Sequence, residues 1–271
     1  TDNSKRNKTN RKPQANKHVH TLTHTMSNPL VPATSASAPP SYTTLLLDMD
    51  GVLAEVSKSY RASIVATAHH YGATSVTYDV IGDWKAKGGC NNDWKLSLDL
   101  IQQDPNGQHD VTLEQVTTTF EEFYQGTSTT SGLCELESLI PTRQTLLDLR
   151  SRATKVGIVT GRPKKDCDKF LKLHNIYDLV DASVCMEDGP PKPDPFPVVE
   201  CCRLLGVPPS SSVVLVGDTP DDIRAAIAAG CRGVGVATPE AVQELSAKGL
   251  PYDQSKLCLA MKECHADMIL K

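Results

Sequence analysis

Leu45-Leu46-Leu47-Asp48-Met49-Asp50-Gly51-Val52-Leu53 is the stretch that decides the fold. An apolar run of strand length ends in two carboxylates two residues apart, followed by a glycine. Side chains alternate along a strand, so Asp48 and Asp50 would share one face if the strand continued. Gly51 makes a turn or bend just there. A carboxylate at a strand end can attack phosphorus and form an aspartyl-phosphate. A second carboxylate beside it can protonate the leaving oxygen and later activate water. Alone, this Asp-X-Asp-Gly pattern also fits a calcium loop or a plain turn.

Outward from it, four more strand-like runs end in polar or small residues: Lys155–Thr160, Ala182–Cys185, Val213–Gly217 and Gly233–Ala237. Near-continuous apolar strands alternating with helical stretches imply a parallel sheet covered on both faces. The expected class is α/β, a Rossmann-like parallel sheet with helices on both faces. Ligands of such sheets bind beyond the carboxyl ends of the strands. The interval between the first and second runs is different. It carries helical patterns at Tyr60–Tyr71, Asn92–Gln103 and Leu113–Tyr124, separated by Gly-, Asn- and Pro-bearing turns. A small helical cap over residues 57–132 is therefore expected, inserted into a core made of residues 42–56 and 133–271. Beyond Thr238, Ala241–Ala247 and Ser255–Leu270 read as helical.

Three further segments carry chemistry. In Thr160-Gly161-Arg162-Pro163 a hydroxyl and a glycine N–H enter a helix, which suits a phosphate group. In Asp188-Gly189-Pro190-Pro191-Lys192-Pro193 the prolines stiffen the backbone around one lysine, whose ammonium could screen Asp48 from an incoming phosphate dianion. In Gly217-Asp218-Thr219-Pro220-Asp221-Asp222 three acids cluster at a strand-to-helix junction. Magnesium takes one or two carboxylates plus water and phosphate oxygens. Dipole-favoured helix-start chemistry accounts for Asp221 well. It accounts for Asp218 poorly, because Asp218 lies before the helix.

The chain's net charge of −4 hides an asymmetry. Residues 1–41 hold six Lys/Arg and one acid, leaving 22 Lys/Arg against 31 Asp/Glu in the rest. An acidic body argues against a nucleic-acid partner. No run reaches the roughly 18–20 apolar residues of a membrane-spanning helix. Residues 1–41 are rich in Ser, Thr, Asn, Pro and Lys, which makes them a disordered basic segment. Their acid-poor composition is like that of an organellar transit peptide. The expected compartment is cytoplasmic, or a plastid or mitochondrion if that segment directs transport. Nine cysteines form no metal-type pair and read as reduced, packed thiols.

The four segments, in this order, resemble the haloacid dehalogenase superfamily over residues 44–240. The resemblance implies roles. Asp48 is the nucleophile and a magnesium ligand. Asp50 is the general acid/base, its backbone carbonyl also on the metal. Thr160 and the Gly161 N–H hold the phosphoryl group, and Lys192 orients nucleophile and phosphate. Asp218 is a direct Mg²⁺ ligand and Asp222 a water-mediated one. Asp221 stands where the family often has Asn and is left outside this set. The carboxylate at Asp50 points to phosphate esters rather than to dehalogenation, by phosphatase or phosphomutase chemistry; a non-catalytic regulatory domain is the remaining alternative. The insertion resembles the cap of the phosphoglycolate phosphatase and β-phosphoglucomutase branch.

Within it, Lys87-Gly88-Gly89-Cys90-Asn91-Asn92-Asp93-Trp94 is the candidate specificity loop, with Asn91 and Asn92 as substrate-binding amides. Either asparagine could instead cap the helix that follows, with Trp94 in the core of the insertion. A narrower resemblance rests on Asn91-Asn92-Asp93-Trp94, Gly132-Leu133-Cys134-Glu135 and Met186-Glu187-Asp188. It points to cap-bearing proteins that include chains joined to histidine-biosynthesis enzymes. The implied partner is a small phosphorylated metabolite: histidinol phosphate, phosphoglycolate or a sugar phosphate. The implied state is a monomer or homodimer.

Overall fold

The computed structural model describes residues 42–237 and 254–270. The expectations for residues 1–41 and for a helix at Ala241–Ala247 lie outside the described residues.

The first strand, β1 (Thr44–Leu47), is buried on both faces. Its side chains alternate as a strand requires. Leu45 and Leu47 join one core cluster and Leu46 the other. β1 pairs in parallel with β4 (Lys155–Val159) on one side and β6 (Val213–Gly217) on the other. β5 (Ala182–Val184), β7 (Arg232–Val236) and β8 (Met268–Leu270) extend the sheet to the order β5-β4-β1-β6-β7-β8, parallel throughout. Helices α5 (Arg143–Arg152), α6 (Lys164–Leu173), α7 (Phe196–Leu205) and α8 (Pro220–Ala228) connect the strands. The order of strands reverses around β1, so the rim beyond β1, β4 and β6 is the crevice where this architecture binds ligands.

The chain leaves this core through β2 (Ala54–Glu55) and returns through β3 (Ser138–Leu139). These two short strands pair antiparallel, Ala54 opposite Leu139 and Glu55 opposite Ser138. Between them lie α1 (Tyr60–His70), α2 (Tyr78–Lys87), α3 (Asp93–Gln103) and α4 (Leu113–Gln125). Thr112 caps α4 in a box with Gln115, which satisfies two otherwise orphan N–H groups. α1 packs on α3 and α4. Ile64 and Phe120 at their contact are fully buried. Tyr60 stacks on Phe120 and Tyr124 at centroid distances of 5.9 and 4.2 Å.

Two elements differ from the sequence expectation. α2 was not anticipated, because Val80, Ile81 and the buried Gly82 have poor helix propensity. Burial of Tyr78, Ile81 and Ala86 overrides it. The expected helix at Ser255–Leu270 is instead α9 (Ser255–Glu263) followed by β8. Its helix turns off at His265, which takes a left-handed φ of 63°. Met268–Leu270 then pairs with β7. α9 buries Leu257 and Met261 against Ile223 of α8 and Ala86 of α2. Among the described residues no helix is long and apolar enough to cross a membrane. All nine cysteines are free thiols.

Truncation of the buried ring at the centre of the insertion should be costly. Phe120→Ala is expected to lower unfolding stability by about 3–5 kcal/mol, read by chemical denaturation. A loss below about 1 kcal/mol would mean that α1 and α4 do not share a packed core.

Candidate active site

β1 ends at Leu47, and Asp48 is the first residue beyond it. Its N–H still bonds to the Val216 carbonyl at 2.9 Å. Asp48 is 6% exposed. Its Oδ1 accepts the Met49 N–H at 2.8 Å and faces Lys192 Nζ at 3.0 Å. The chain then turns at Gly51, whose φ is +71°. A Cβ there would overlap the Asp218 carboxylate, so the turn needs glycine both for conformation and for room.

Lys192 is buried with three acceptors around its ammonium: Asp222 Oδ1 at 2.5 Å, Asp48 Oδ1 at 3.0 Å and the Val159 carbonyl at 3.1 Å. Burial opposes its charge, but Asp222 and Asp48 outweigh burial and hold the ammonium above the usual lysine range. Asp222 is fully buried. Its second oxygen accepts from the Thr219 N–H at 3.0 Å and the Thr219 hydroxyl at 2.6 Å. It therefore anchors Lys192 and closes the first turn of α8 at once.

Asp218 ends β6 and is 9% exposed. Burial, with Asp222 beside it, pushes its carboxyl up to about 7. Asp48 is raised well above the usual range, first by burial and then by Asp222, Asp218 and Asp50 against the pull of Lys192. Asp48, Asp218 and Asp222 each present an oxygen within 4.8 Å of the others. Three buried carboxylates against one ammonium leave excess negative charge. That donor set fits a hard divalent cation taking carboxylate oxygens.

Thr160 and Gly161 follow β4. Thr160 is 6% exposed, its N–H on the Val184 carbonyl at 3.0 Å. Its hydroxyl accepts the Arg162 N–H at 3.1 Å. The carbonyl of Asn91 comes so close to Gly161 that a Cβ would lie 2.8 Å from it. Arg162, which the sequence reading did not single out, is 2% exposed. Its Nε donates to Asp50 Oδ1 at 2.6 Å. Its Nη1 and Nη2 donate to Glu137 Oε2 and Oε1 at 2.9 and 3.1 Å. Burial opposes this charge too, and Asp50 and Glu137 overcome it.

The loop between α2 and α3 docks on the core. Asp221, 1% exposed, accepts at Oδ2 from the Gly89 N–H at 2.6 Å and from Asn91 Nδ2 at 2.8 Å. Arg224 pairs with its Oδ1 at 3.0 Å. Asn91 Nδ2 also donates to the Lys192 carbonyl at 2.6 Å. Asn91 thus lies at the site, its amide nitrogen bound to protein groups. The Asn92 side chain caps α3, accepting the Lys95 N–H at 3.0 Å. Trp94 lines the cleft above Asp48 and Asp50, and its Nε1 donates to Glu121 at 3.0 Å. The same cleft is lined by Arg61, Lys85 and Asp93. Lys85 pairs with Asp93 at 2.6 Å. The sequence reading passed over Arg61 and Lys85. Arg61 sits on a helix whose other residues carry the periodicity, Lys85 sits on the helix that the sequence does not mark, and a lone lysine or arginine is usually solvated.

Several known proteins are similar. The chain is 48% identical over 198 residues to imidazoleglycerol-phosphate dehydratase of Phytophthora nicotianae, covering 72% of this chain and 43% of that protein. It thus spans less than half the length of that relative. It is 28% identical to pyrophosphatase PpaX of Bacillus velezensis, over 79% of this chain and 93% of the relative. It is 26% identical to phosphoglycolate phosphatase of Haemophilus influenzae, over 70% and 83%. Among solved structures, a predicted phosphoglycolate phosphatase from Haemophilus somnus superposes with a TM-score of 0.65 at 20% identity, covering 85% of this chain and 94% of that one. A haloacid dehalogenase-like hydrolase from Streptococcus pneumoniae superposes with a TM-score of 0.61 at 15% identity, covering 84% and 93%. These two likenesses are of fold. The model of the haloacid dehalogenase-like hydrolase family matches residues 45–236, a span that holds every strand-end group described above, and the chain belongs to that family.

Proposed function

We propose that this protein is a magnesium-dependent phosphatase that hydrolyses a small phosphate monoester through an aspartyl-phosphate on Asp48. The observation that carries this reading is the buried contact of Asp48 with Lys192, beside Asp218, at the ends of neighbouring strands. The names of the PpaX and phosphoglycolate phosphatase relatives support hydrolysis of phosphate compounds.

Asp48 attacks phosphorus in line, while Lys192 offsets charge on the nucleophile and the phosphoryl oxygens. The Thr160 hydroxyl and Gly161 N–H orient the phosphoryl group. Asp50 gives its proton to the leaving oxygen, then takes one from the water that cleaves the aspartyl-phosphate. Asp48, the Asp50 carbonyl and Asp218 would hold Mg²⁺, and Asp222 would act on it through water. When bound, the ion supplies positive charge to the phosphate oxygens. The helical insertion covers the crevice and selects the substrate, with the loop bearing Asn91 at its edge.

Two features of the cleft bear on the substrate. Arg61 and Lys85 suit a leaving group that carries an acid, as in phosphoglycolate. Trp94 and Asp93 suit an imidazole or an amine, as in histidinol phosphate. The long match to a protein named for imidazoleglycerol phosphate also supports the second. A panel of monoesters, including both and sugar phosphates, ranks them by kcat/KM.

Asp48→Asn should lower magnesium-dependent turnover of p-nitrophenyl phosphate by on the order of 10³-fold or more. Wild-type rates in that variant would sink the covalent mechanism.

Metal and pH are linked through the same acids. Asp218 is held at about 7 in the folded chain against an ordinary value of 3.8. Between those values the folded state binds more protons than the unfolded one. Stability of the cation-stripped protein should therefore fall as pH rises through that window. Added Mg²⁺ offsets the repulsion that causes this, so it should raise Tm more at about pH 8 than at about pH 5. An equal gain at both pH values, or no gain, would remove these carboxylates as the metal site.

A further inference from the structure

Arg162 has a guanidinium enclosed on every side. Tyr60 lies over one part of it, 4.8 Å from its centre, and Phe170 over another at 5.3 Å. Its three nitrogens are divided between two carboxylates. Nε goes to Asp50, and the two Nη groups form a fork on Glu137. Such a fork is geometrically demanding and strongly directional.

Glu137 is the residue just before β3, on the strand pair through which the insertion returns to the core. Its Oε1 also accepts from Ser59 Oγ at 2.8 Å and from Tyr124 Oη at 3.1 Å. Ser59 immediately precedes α1, on the outgoing linker, and Tyr124 lies near the end of α4. Both connections of the insertion therefore meet at one buried carboxylate, whose fork partner holds Asp50. A guanidinium is planar and rigid, so a shift of Glu137 is passed to Nε. With Asp50 Oδ1 tied to Nε, the carboxyl group is not free to rotate.

We infer that Arg162 is a positioning residue that sets Asp50 for proton transfer and couples that setting to the linkers of the insertion. The inference rests on the phosphatase reading above. In the step concerned, an Asp48 oxygen forms a bond to phosphorus and the P–O ester bond breaks. The bond's electron pair goes to the leaving oxygen, and Asp50 delivers its proton to that oxygen. Misplacing Asp50 harms esters whose leaving oxygen needs this proton. It harms far less an ester whose leaving group departs as a stable anion.

The test compares kcat/KM for an alkyl phosphate and for p-nitrophenyl phosphate in the full chain with Mg²⁺. Because kcat/KM ends at formation of the aspartyl-phosphate, the later water step does not blur it. Arg162→Lys keeps the charge and removes the fork. It should lower kcat/KM for the alkyl ester at least about tenfold more than for the aryl ester. Glu137→Gln should show the same selectivity, since it acts through the same guanidinium. Melting curves check folding. Should Arg162→Lys not fold, the double variant Arg162→Met, Glu137→Met reads the same ratio, because the two buried charges leave together and the carboxylate that loses its partner, Asp50, is partly exposed to solvent. Equal losses on both esters, or no loss, would reduce Arg162 to packing and overturn the inference. A wild type that cleaves neither ester defeats the phosphatase reading itself, whereas a wild type active on both with an unchanged ratio in the variants defeats the coupling alone.

Discussion

The ammonium of Lys192 is held between Asp48 and Asp222, and much of the molecule is arranged so that it can be. Two like unit charges about 4 Å apart repel by roughly 4 kcal/mol at an effective dielectric of about 20. Asp48, Asp218 and Asp222 are packed closely and buried, so their repulsion would drive them towards water or towards protonation. One buried cation relieves part of that. Its remaining proton is satisfied by the Val159 carbonyl, so no donor is left unpaired in a site where an orphan would be expensive. The parallel register pairs Leu47 with Ile158 of β4 and Val216 of β6, which brings Asp48 level with Val159 and Gly217. The proline-rich loop after β5 returns Lys192 to the same level. What charge remains is an excess of carboxylate over ammonium, the kind of donor set that a hard cation takes.

A second ionic centre lies beside the first and is likewise one cation between carboxylates, but the cation is a guanidinium. At Lys192 a flexible ammonium collects oxygens from the core. At Arg162 a rigid fork joins the core to both linkers of the insertion. The choice of side chain matters in each place. A lysine serves as a compact charge where three carboxylates crowd together, and an arginine serves where a planar fork must meet two partners at once. Asp50 stands between them. It follows Asp48 by two residues and is bonded to Arg162, so its position answers both to the strand end and to the insertion.

The difference between these centres also explains what could be read from the chain. Asp48, Lys192 and Asp218 were legible because each ends a strand-like run or sits among prolines, and because parallel sheets gather such ends on one rim. The six-stranded architecture was legible for the same reason, apart from β8, whose three residues follow a helix and look like its continuation. Arg162 was quoted only as a neighbour of Thr160. Its meaning depends on Glu137, 25 residues away across a helix and two strands, and nothing local marks Glu137 as buried. Asp221 was set aside as helix-start acid. It sits there, but its Oδ2 serves Gly89 and Asn91 from 132 and 130 residues earlier. Asn91 and Asn92 carried the same signal in the sequence, yet only Asn91 faces the core, because Asn92 is taken by the first turn of α3. Local pattern names the type of residue that chemistry needs, and long-range packing decides which copy is used.

Among the described residues the insertion touches the core in several places, and the contacts differ in kind. The linkers meet at a buried fork between Arg162 and Glu137 that excludes water. The loop at Gly89 and Asn91 rests on Asp221 by hydrogen bonds to a charged acceptor at the margin of the cleft. α2 rests on α9 through Ala86, Leu257 and Met261, with an exposed Lys256–Asp83 pair at 2.8 Å. An exposed pair of that kind contributes little, about 0–1 kcal/mol, and the apolar contact is small. Asp48 is 6% exposed and lines its cleft together with Arg61 of α1, Trp94 of α3 and Asn91 of the loop. Of these contacts only the fork reaches Asp50, through the guanidinium of Arg162, so the linkers of the insertion and the side chain two residues beyond Asp48 share one buried cation.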